Sequence, residues 1–430
     1  MSSKADLPPG PRGRPLVGCL LEMHADALGF LSSVTRRYGD LVHYRLGLQP
    51  VVLVNRPEHV RRLVAEQPER YVVAGSRPTG VKGVIPASVF GAPPAARRGP
   101  VSEAPPDADA HARHAAEVTL AELSRWRDGA AGSPLDIVFE MQRLTLKIHL
   151  LQVFGFDIGH MADAFVAAIN TLRDHETSRP LVPLPSFVPS PAGRRVRAAR
   201  QTFSAVARAI FEHYRDTAAA KRADAPAVLT PRDITGLVFA SYDTTSSALT
   251  WTWHLLARHP EVEARLEAEL DEVLAGRPPG PEEAGRLRYL QQVLKESMRL
   301  YPPAWLLNRV AMSEDRIDGF RIPEGSTVSV CPYLLHRHPT YWEEPDRFDP
   351  ERFAPERARS RPQYVYVPFG GGPYRCPGQH IGITTLTTVV ALVKQRFRLR
   401  RSDGGEIRPK ATIFSLRPDA PLRMTFEPRA

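Results

Sequence analysis

The sequence predicts a mainly α-helical protein with a smaller β portion, folded as a single domain across its 430 residues. Three observations carry that expectation. Apolar residues recur at helical spacing through most of 115–300. Short alternating stretches bounded by turn residues are confined to the N-terminal region and to the part after Tyr301. No stretch reads as a linker, and the chain carries no internal repeat.

Residues 1–18 are a Pro-rich lead-in, with LPPGPRGRPLVG at 7–18. A helix is expected from Ala25 to Tyr38, then strands at 41–46 and 50–54 joined by a Gly-Leu-Gln-Pro turn, then a helix from Pro57 to Glu66. The segment 86–114 is atypical, with Pro93, Pro94, Pro100, Pro105 and Pro106 across it. A proline costs about 3 kcal/mol inside a helix, so no regular helix is expected there. The helical region that follows breaks at the Pro-rich 180–191. Its clearest member starts at Thr230, a good N-cap, with Pro231 at the first helical position and Asp233 placed for a capping box. That pattern runs to about His259 with Pro260 beyond it, roughly 30 residues or ~45 Å at 1.5 Å per residue. A last helix follows Cys376, and 405–428 reads as β-ribbon.

Composition narrows the function. The charge of +10 reads first as solubility, since no nucleic-acid reading module accompanies it. No window approaches the 18 or more apolar residues of a membrane span, and the N-terminus lacks the apolar core of a signal peptide. A cytoplasmic monomer that binds neither nucleic acid nor membrane is therefore expected. Cys19, Cys331 and Cys376 are odd in number and form no CxxC pair, so neither a disulfide framework nor structural zinc is indicated. A single axial metal ligand stays open.

The richest segment runs from Pro368 to Gly378, PFGGGPYRCPG. The run of three glycines, Gly370 to Gly372, allows a tight loop whose backbone approaches a flat ligand and aims amide groups at one atom. A thiolate uses such donors, and a helix starting just after Cys376 adds its positive end. It is no phosphate loop, because no Lys-Ser/Thr follows the glycines. A plain Gly-rich turn and a bare Cys-Pro pair, of which Cys331-Pro332 is a second instance, are the competing readings.

This stretch resembles the haem-binding loop of cytochromes P450, matching at Phe369, Gly370, Gly372, Cys376 and Gly378. The order of the other segments is similar across nearly the whole chain. Glu296 and Arg299 stand at i, i+3 in KESMRLYPP, resembling the family's Glu-x-x-Arg helix, and Arg352 lies in a later Pro-Glu-Arg-Phe. The resemblance makes these three a structural triad. Ala240-Ser241-Tyr242-Asp243-Thr244-Thr245 looks like the family's oxygen-binding segment. There Thr244 orders a water beside dioxygen and Asp243 relays protons from solvent, making both catalytic. Arg309 matches the arginine placed on a haem propionate. Trp305, Leu307, Ile413 and Phe414 map to segments that line the substrate cavity, although each residue alone reads as ordinary core.

The resemblance thus implies a P450 fold, with a long central helix over haem b and the axial Cys376 thiolate beneath it. It implies a monooxygenase that places one oxygen atom of O2 into a hydrophobic small molecule, by hydroxylation or epoxidation, with a terpenoid favoured among secondary metabolites. No reductase-like segment occurs, so an external ferredoxin or flavoprotein is the expected electron donor. The basic run Lys394, Arg396, Arg398, Arg400 and Arg401 is expected to help dock it.

Three departures stand out. Tyr374 occupies the position, two before the cysteine, where the family carries Arg or His against a propionate. Ser241 replaces a glycine. The 86–114 segment lacks an expected helix with haem-facing cations, through divergence or a locally shifted reading frame; Arg97, Arg98, Arg113 and His114 are candidate substitutes. The alternative function is accordingly a P450-like protein with impaired haem binding or a non-oxidising, ligand-binding role.

Overall fold

The computed structural model describes residues 6–73, 108–129, 133–177, 191–217, 231–412 and 415–429. The chain opens with helices α1 (Leu20–Ala25) and α2 (Ala27–Tyr38), strands β1 (Leu41–Leu46) and β2 (Gln49–Val54), helix α3 (Pro57–Arg61) and strand β3 (Tyr71–Val73). The helical body comprises α4 (Ala108–Gly129), β4 (Leu135–Asp136), α5 (Ile137–Phe154), α6 (Ala162–Thr177), α7 (Pro191–Asp216), α8 (Pro231–Leu256), α9 (Pro260–Leu274), α10 (Pro281–Arg286) and α11 (Arg288–Leu300). Four strands follow: β5 (Leu307–Ala311), β6 (Asp315–Ile317), β7 (Phe320–Ile322) and β8 (Thr327–Val330). Then come α12 (Pro332–Leu335), α13 (Pro355–Ala358) and α14 (Gln379–Lys394), and finally β9 (Phe397–Arg401), β10 (Pro409–Ala411), β11 (Leu416–Pro418) and β12 (Arg423–Pro428).

The mainly α architecture is the one the sequence predicts, with local differences. Asp26 caps α2 by accepting from the Gly29 amide at 2.9 Å, so α2 starts at Ala27 and α1 precedes it. The β1–β2 turn shrinks to Gly47-Leu48, because Gly47 takes φ 62° and lets Gln49 and Pro50 join the ladder. The helix from Pro57 changes character at Arg62, and Arg62–Glu66 winds as a π-helix. Within 86–114, residues 86–107, Arg97 and Arg98 among them, lie outside the described part. The remaining seven, ADAHARH, belong to α4, since that stretch is free of proline. Arg113 is exposed on it and His114 half-buried. Thr230 and the Asp233 side chain are outside the described part.

The main core gathers Trp126, Met141, Leu249, Trp253, Leu290 and Val390 from α4, α5, α8, α11 and α14. Helix α14 is apolar for most of its length and buried from Thr385 to Lys394, as an all-round apolar helix must be. A second core lies against the five-stranded sheet β1-β2-β8-β5-β3, in which only β2 and β8 run parallel. The hairpin β10–β11 is fastened to α8, where Ser247 Oγ and Trp251 Nε1 donate to the Leu416 carbonyl at 2.6 and 3.0 Å.

Part of the basic run after α14 is taken up inside the fold, and Lys394 is unavailable for docking. Lys394 is fully buried between Glu263 and Glu267 of α9, and Arg398 and Arg400 reach the same carboxylates at 2.8 and 2.6 Å. Arg401 pairs with Asp403, and Arg396 donates to the Leu392 carbonyl. Lys394, Arg398 and Arg400 are thus paired with acids of α9. Burial pushes the Glu267 carboxyl up, but Arg398, Lys394 and Arg429 outweigh it and hold it at about 2. A depressed carboxylate stabilises the fold fully above its ordinary value of 4.5 and loses that contribution as pH falls toward 2. Melting temperatures measured from pH 6 to about pH 2 test this. The parent should lose stability more steeply below pH 4.5 than Glu267→Gln, and parallel curves would refute the linkage.

Candidate functional site

Three features make up the candidate site: the Cys376 loop, the middle of α8, and Arg309, whose guanidinium lies against Tyr374 of that loop. Cys376 is exposed, whereas Cys19 and Cys331 are buried, and burial pushes the Cys331 thiol up to about 12. The Cys331-Pro332 pair is therefore a structural helix start, and Cys376 is the accessible sulfur. Its own amide donates to the Phe369 carbonyl at 2.9 Å, closing the loop, and α14 begins three residues later. Phe369 packs half-buried on the main core. Gly372, at φ 60°, lies so close to the π-helical turn that a Cβ there would stand 1.6 Å from the Val64 carbonyl oxygen. That turn is itself fixed, because Arg62 and Tyr71 both bind the buried Asp315 carboxylate, at 2.7 and 2.5 Å.

The second feature is the middle of α8, where hydroxyls cover successive backbone carbonyls. Thr244 Oγ1 donates to Ala240 at 2.9 Å, Thr245 to Ser241 at 3.0 Å, Ser241 to Val238 at 3.1 Å, and Thr145 from α5 to Tyr242 at 3.2 Å. Ala240 is exposed and Thr244 half-exposed, while their neighbours Tyr242 and Asp243 are buried. Asp243 points the other way. It is fully buried and paired with Arg173 of α6 at 2.9 Å and with Arg417 of β11. Burial alone raises a carboxyl pKa, but Arg417 and Arg173 outweigh it and hold Asp243 below the usual range. Neither arginine is foreseen from the sequence, and no motif near them announces the pairing.

The third feature is Arg309 on β5, which is 6% exposed. Its Nη1 donates to the Asn308 carbonyl at 3.0 Å and its guanidinium lies 5.1 Å from the centre of the Tyr374 ring. Its Nε is buried without a hydrogen-bond partner, and burial lowers its pKa to about 10, so it stays charged at neutral pH. Among the described residues no carboxylate pairs with it. A buried cation of this kind calls for an anion.

Behind the loop, Glu296 of α11 is fully buried and takes both nitrogens of Arg299 side-on, at 2.6 and 2.8 Å. Arg352 reaches the same carboxylate at 3.3 Å. Arg299 also donates to the carbonyls of His336, Pro345 and Arg347, which ties the irregular segment before the loop to α11. Of the pocket candidates, Trp305 is 8% exposed, packs among Leu31, Val42 and Cys331, and donates to the Thr412 carbonyl at 2.9 Å. Leu307 packs half-buried on the sheet core. Ile413 and Phe414 lie outside the described residues.

These groups suit a haem. An exposed thiol on a glycine loop can ligate iron, the small exposed Ala240 leaves room for a flat macrocycle, and Arg309, buried with its Nε unsatisfied, suits a propionate. Among the described residues no group of three or more His, Cys, Asp or Glu side chains could hold a bare metal ion, and no helix is long and apolar enough to cross a membrane.

The chain is similar to known proteins along nearly its whole length. The family model described as Cytochrome P450 matches residues 8–426. Cyclooctatin synthase of Streptomyces melanosporofaciens is 34% identical over 97% of this chain and 95% of its own. Cyclooctat-9-en-7-ol 5-monooxygenase of the same organism is 30% identical, again over 97% of this chain and 95% of that one. The solved structure of retinoic acid bound cyanobacterial CYP120A1 superposes with a TM-score of 0.79 at 21% identity, covering 98% of this chain and 99% of that one.

Proposed function

Because the chain belongs to the cytochrome P450 family and is a monooxygenase of that family, we propose that it oxidises a cyclic terpenoid, with haem b held by the Cys376 thiolate. Haem with a thiolate ligand supplies dioxygen activation when bound, the sulfur's electron push favouring O–O cleavage. The protein's part is to hold that ligand, move protons and shape the cavity.

Cys376 is the ligand, and the α14 N-terminus with the loop amides favours its anionic form. Arg309 carries the charge that meets a propionate. Tyr374, Phe369 and Ala240 complete the cofactor's surroundings, with Phe369 and Ala240 offering apolar surface. Thr244 keeps a water at its Oγ1 in the groove beside Ala240. Asp243 places a carboxylate on the far side of α8, kept ionised by Arg173 and Arg417, as the residue that relays protons toward Thr244. Glu296, Arg299 and Arg352 hold the loop's scaffold in place and take no part in the chemistry.

Electrons come from a separate ferredoxin or flavoprotein. Arg375 and Lys295, both exposed beside the cleft that borders Gly370–Gly372, offer positive charge for docking.

The substrate reading rests on the relative whose name records oxidation of cyclooctat-9-en-7-ol, an unsaturated cyclic alcohol, along almost the whole chain. A spin-state titration of the haem-loaded protein tests it. Cyclooctat-9-en-7-ol should shift the main haem absorption band toward the blue at micromolar concentration, while dodecanoic acid and a hydrophobic dipeptide should not. A shift with the acid or the dipeptide and none with the alkenol would overturn the terpenoid assignment.

A further inference from the structure

Tyr374 stands where the resemblance leads one to expect a cation, and its ring lies against the Arg309 guanidinium instead. The guanidinium is buried, its Nε has no partner, and its contacts on the protein side include the Asn308 carbonyl and the face of the Tyr374 ring. A desolvated guanidinium over an aromatic face is held by the ring's quadrupole, more firmly than at an exposed site. A second arginine or a histidinium at 374 would instead repel it across about 5 Å.

We propose that Tyr374 is a positioning residue that fixes the Arg309 guanidinium through its ring face, and thereby sets how firmly the site retains haem by a propionate. The inference rests on the haem-site reading above. It assigns the ring a task and leaves the phenol hydroxyl none. Position 374 and Arg309 then act as one unit: one cation held by an aromatic face, in place of two separate cations. Antiparallel pairing of β5 with β3 and β8 fixes Arg309 in the sheet from both sides, so the ring acts on the choice of side-chain rotamer.

The test follows transfer of haem from the loaded protein to excess apomyoglobin, read by absorbance. The parent is compared with Tyr374→Phe, Tyr374→Leu, Arg309→Ala and the Tyr374→Leu/Arg309→Ala double variant. Tyr374→Phe should release haem within about twofold of the parent, and Tyr374→Leu about tenfold faster, the loss expected for one desolvated cation–π contact. In the Arg309→Ala background Tyr374→Leu should change the rate by less than about twofold, the signature of two residues acting as one. If the leucine variant fails to fold, Tyr374→Met serves as the ring-less arm. Equal release from Tyr374→Phe and Tyr374→Leu would assign the effect to the hydroxyl and overturn the inference. So would parental release from Tyr374→Leu, or additive effects in the double variant. A parent that takes up no haem would overturn the haem-site reading and this inference together, whereas the other outcomes leave that reading standing.

Discussion

Glu296→Ala will destabilise the protein by about 3–5 kcal/mol, because it strips one carboxylate from two buried arginines at once. Glu296 is fully buried, binds Arg299 side-on, binds Arg352, and accepts the Asp349 amide at 2.9 Å. Arg299 keeps its three carbonyl partners in the variant, so the guanidinium stays hydrogen-bonded, but its charge and that of Arg352 lose their counterion. Total stability is about 5–15 kcal/mol for a typical domain, which makes this one of the largest single-site losses available. Glu296→Gln retains one acceptor oxygen and should fall between parent and alanine. Urea unfolding measures it, with Glu314→Ala as control. Glu314 is exposed and pairs with Arg321 at 2.9 Å, so its loss should stay below about 1 kcal/mol. Equal midpoints for Glu296→Ala and Glu314→Ala would contradict the buried-triad account.

Gly372→Ala should cost about 2–5 kcal/mol and, more tellingly, empty the site of haem. Two penalties add. An alanine at φ 60° pays about 1–2 kcal/mol for the left-handed conformation. Its Cβ would also stand 1.6 Å from the Val64 carbonyl oxygen, and no side-chain rotation relieves contact with backbone, so the π-helical turn or the loop must move at about 1–3 kcal/mol. Arg62 and Tyr71 anchor that turn to Asp315, which leaves the thiolate loop to give way. Gly382→Ala, on α14 with open space where its Cβ would go, is the control and should retain haem. The ratio of haem absorbance to protein absorbance after purification reads the outcome. A Gly372→Ala protein with the parental ratio would show that the close approach is not required.

Much of this was legible in the sequence, for identifiable reasons. The thiolate loop and the Glu296–Arg299 pair are local patterns, a glycine run and an i, i+3 spacing, and local patterns survive translation into structure intact. The length of α8 was readable from uninterrupted apolar periodicity. What could not be read are partnerships made at long range. Arg173 and Arg417 reach Asp243 from 70 and 174 residues away, and nothing beside either residue marks it for that carboxylate. The basic run after α14 misled for the same reason. Five cations in eight residues look like surface, yet Lys394 is buried by α9. A signal did exist there, since Glu263, Glu267 and Asp271 recur every four residues and form an acidic stripe on one helix face, which a neighbouring basic strand can neutralise. The π-helical turn at Arg62–Glu66 had no sequence mark, because it arises from what the turn packs against.

The assignment of Cys376 as axial ligand is the claim on which the rest depends. Its most direct test is the absorption spectrum of the haem-loaded protein, reduced under carbon monoxide, beside that of Cys376→Ser. The account predicts the strongly red-shifted band of a thiolate-ligated haem in the parent and its absence in the variant, with both proteins folded by circular dichroism. A parent that binds haem yet shows only the unshifted band, or a Cys376→Ser protein that keeps the red-shifted one, would contradict it.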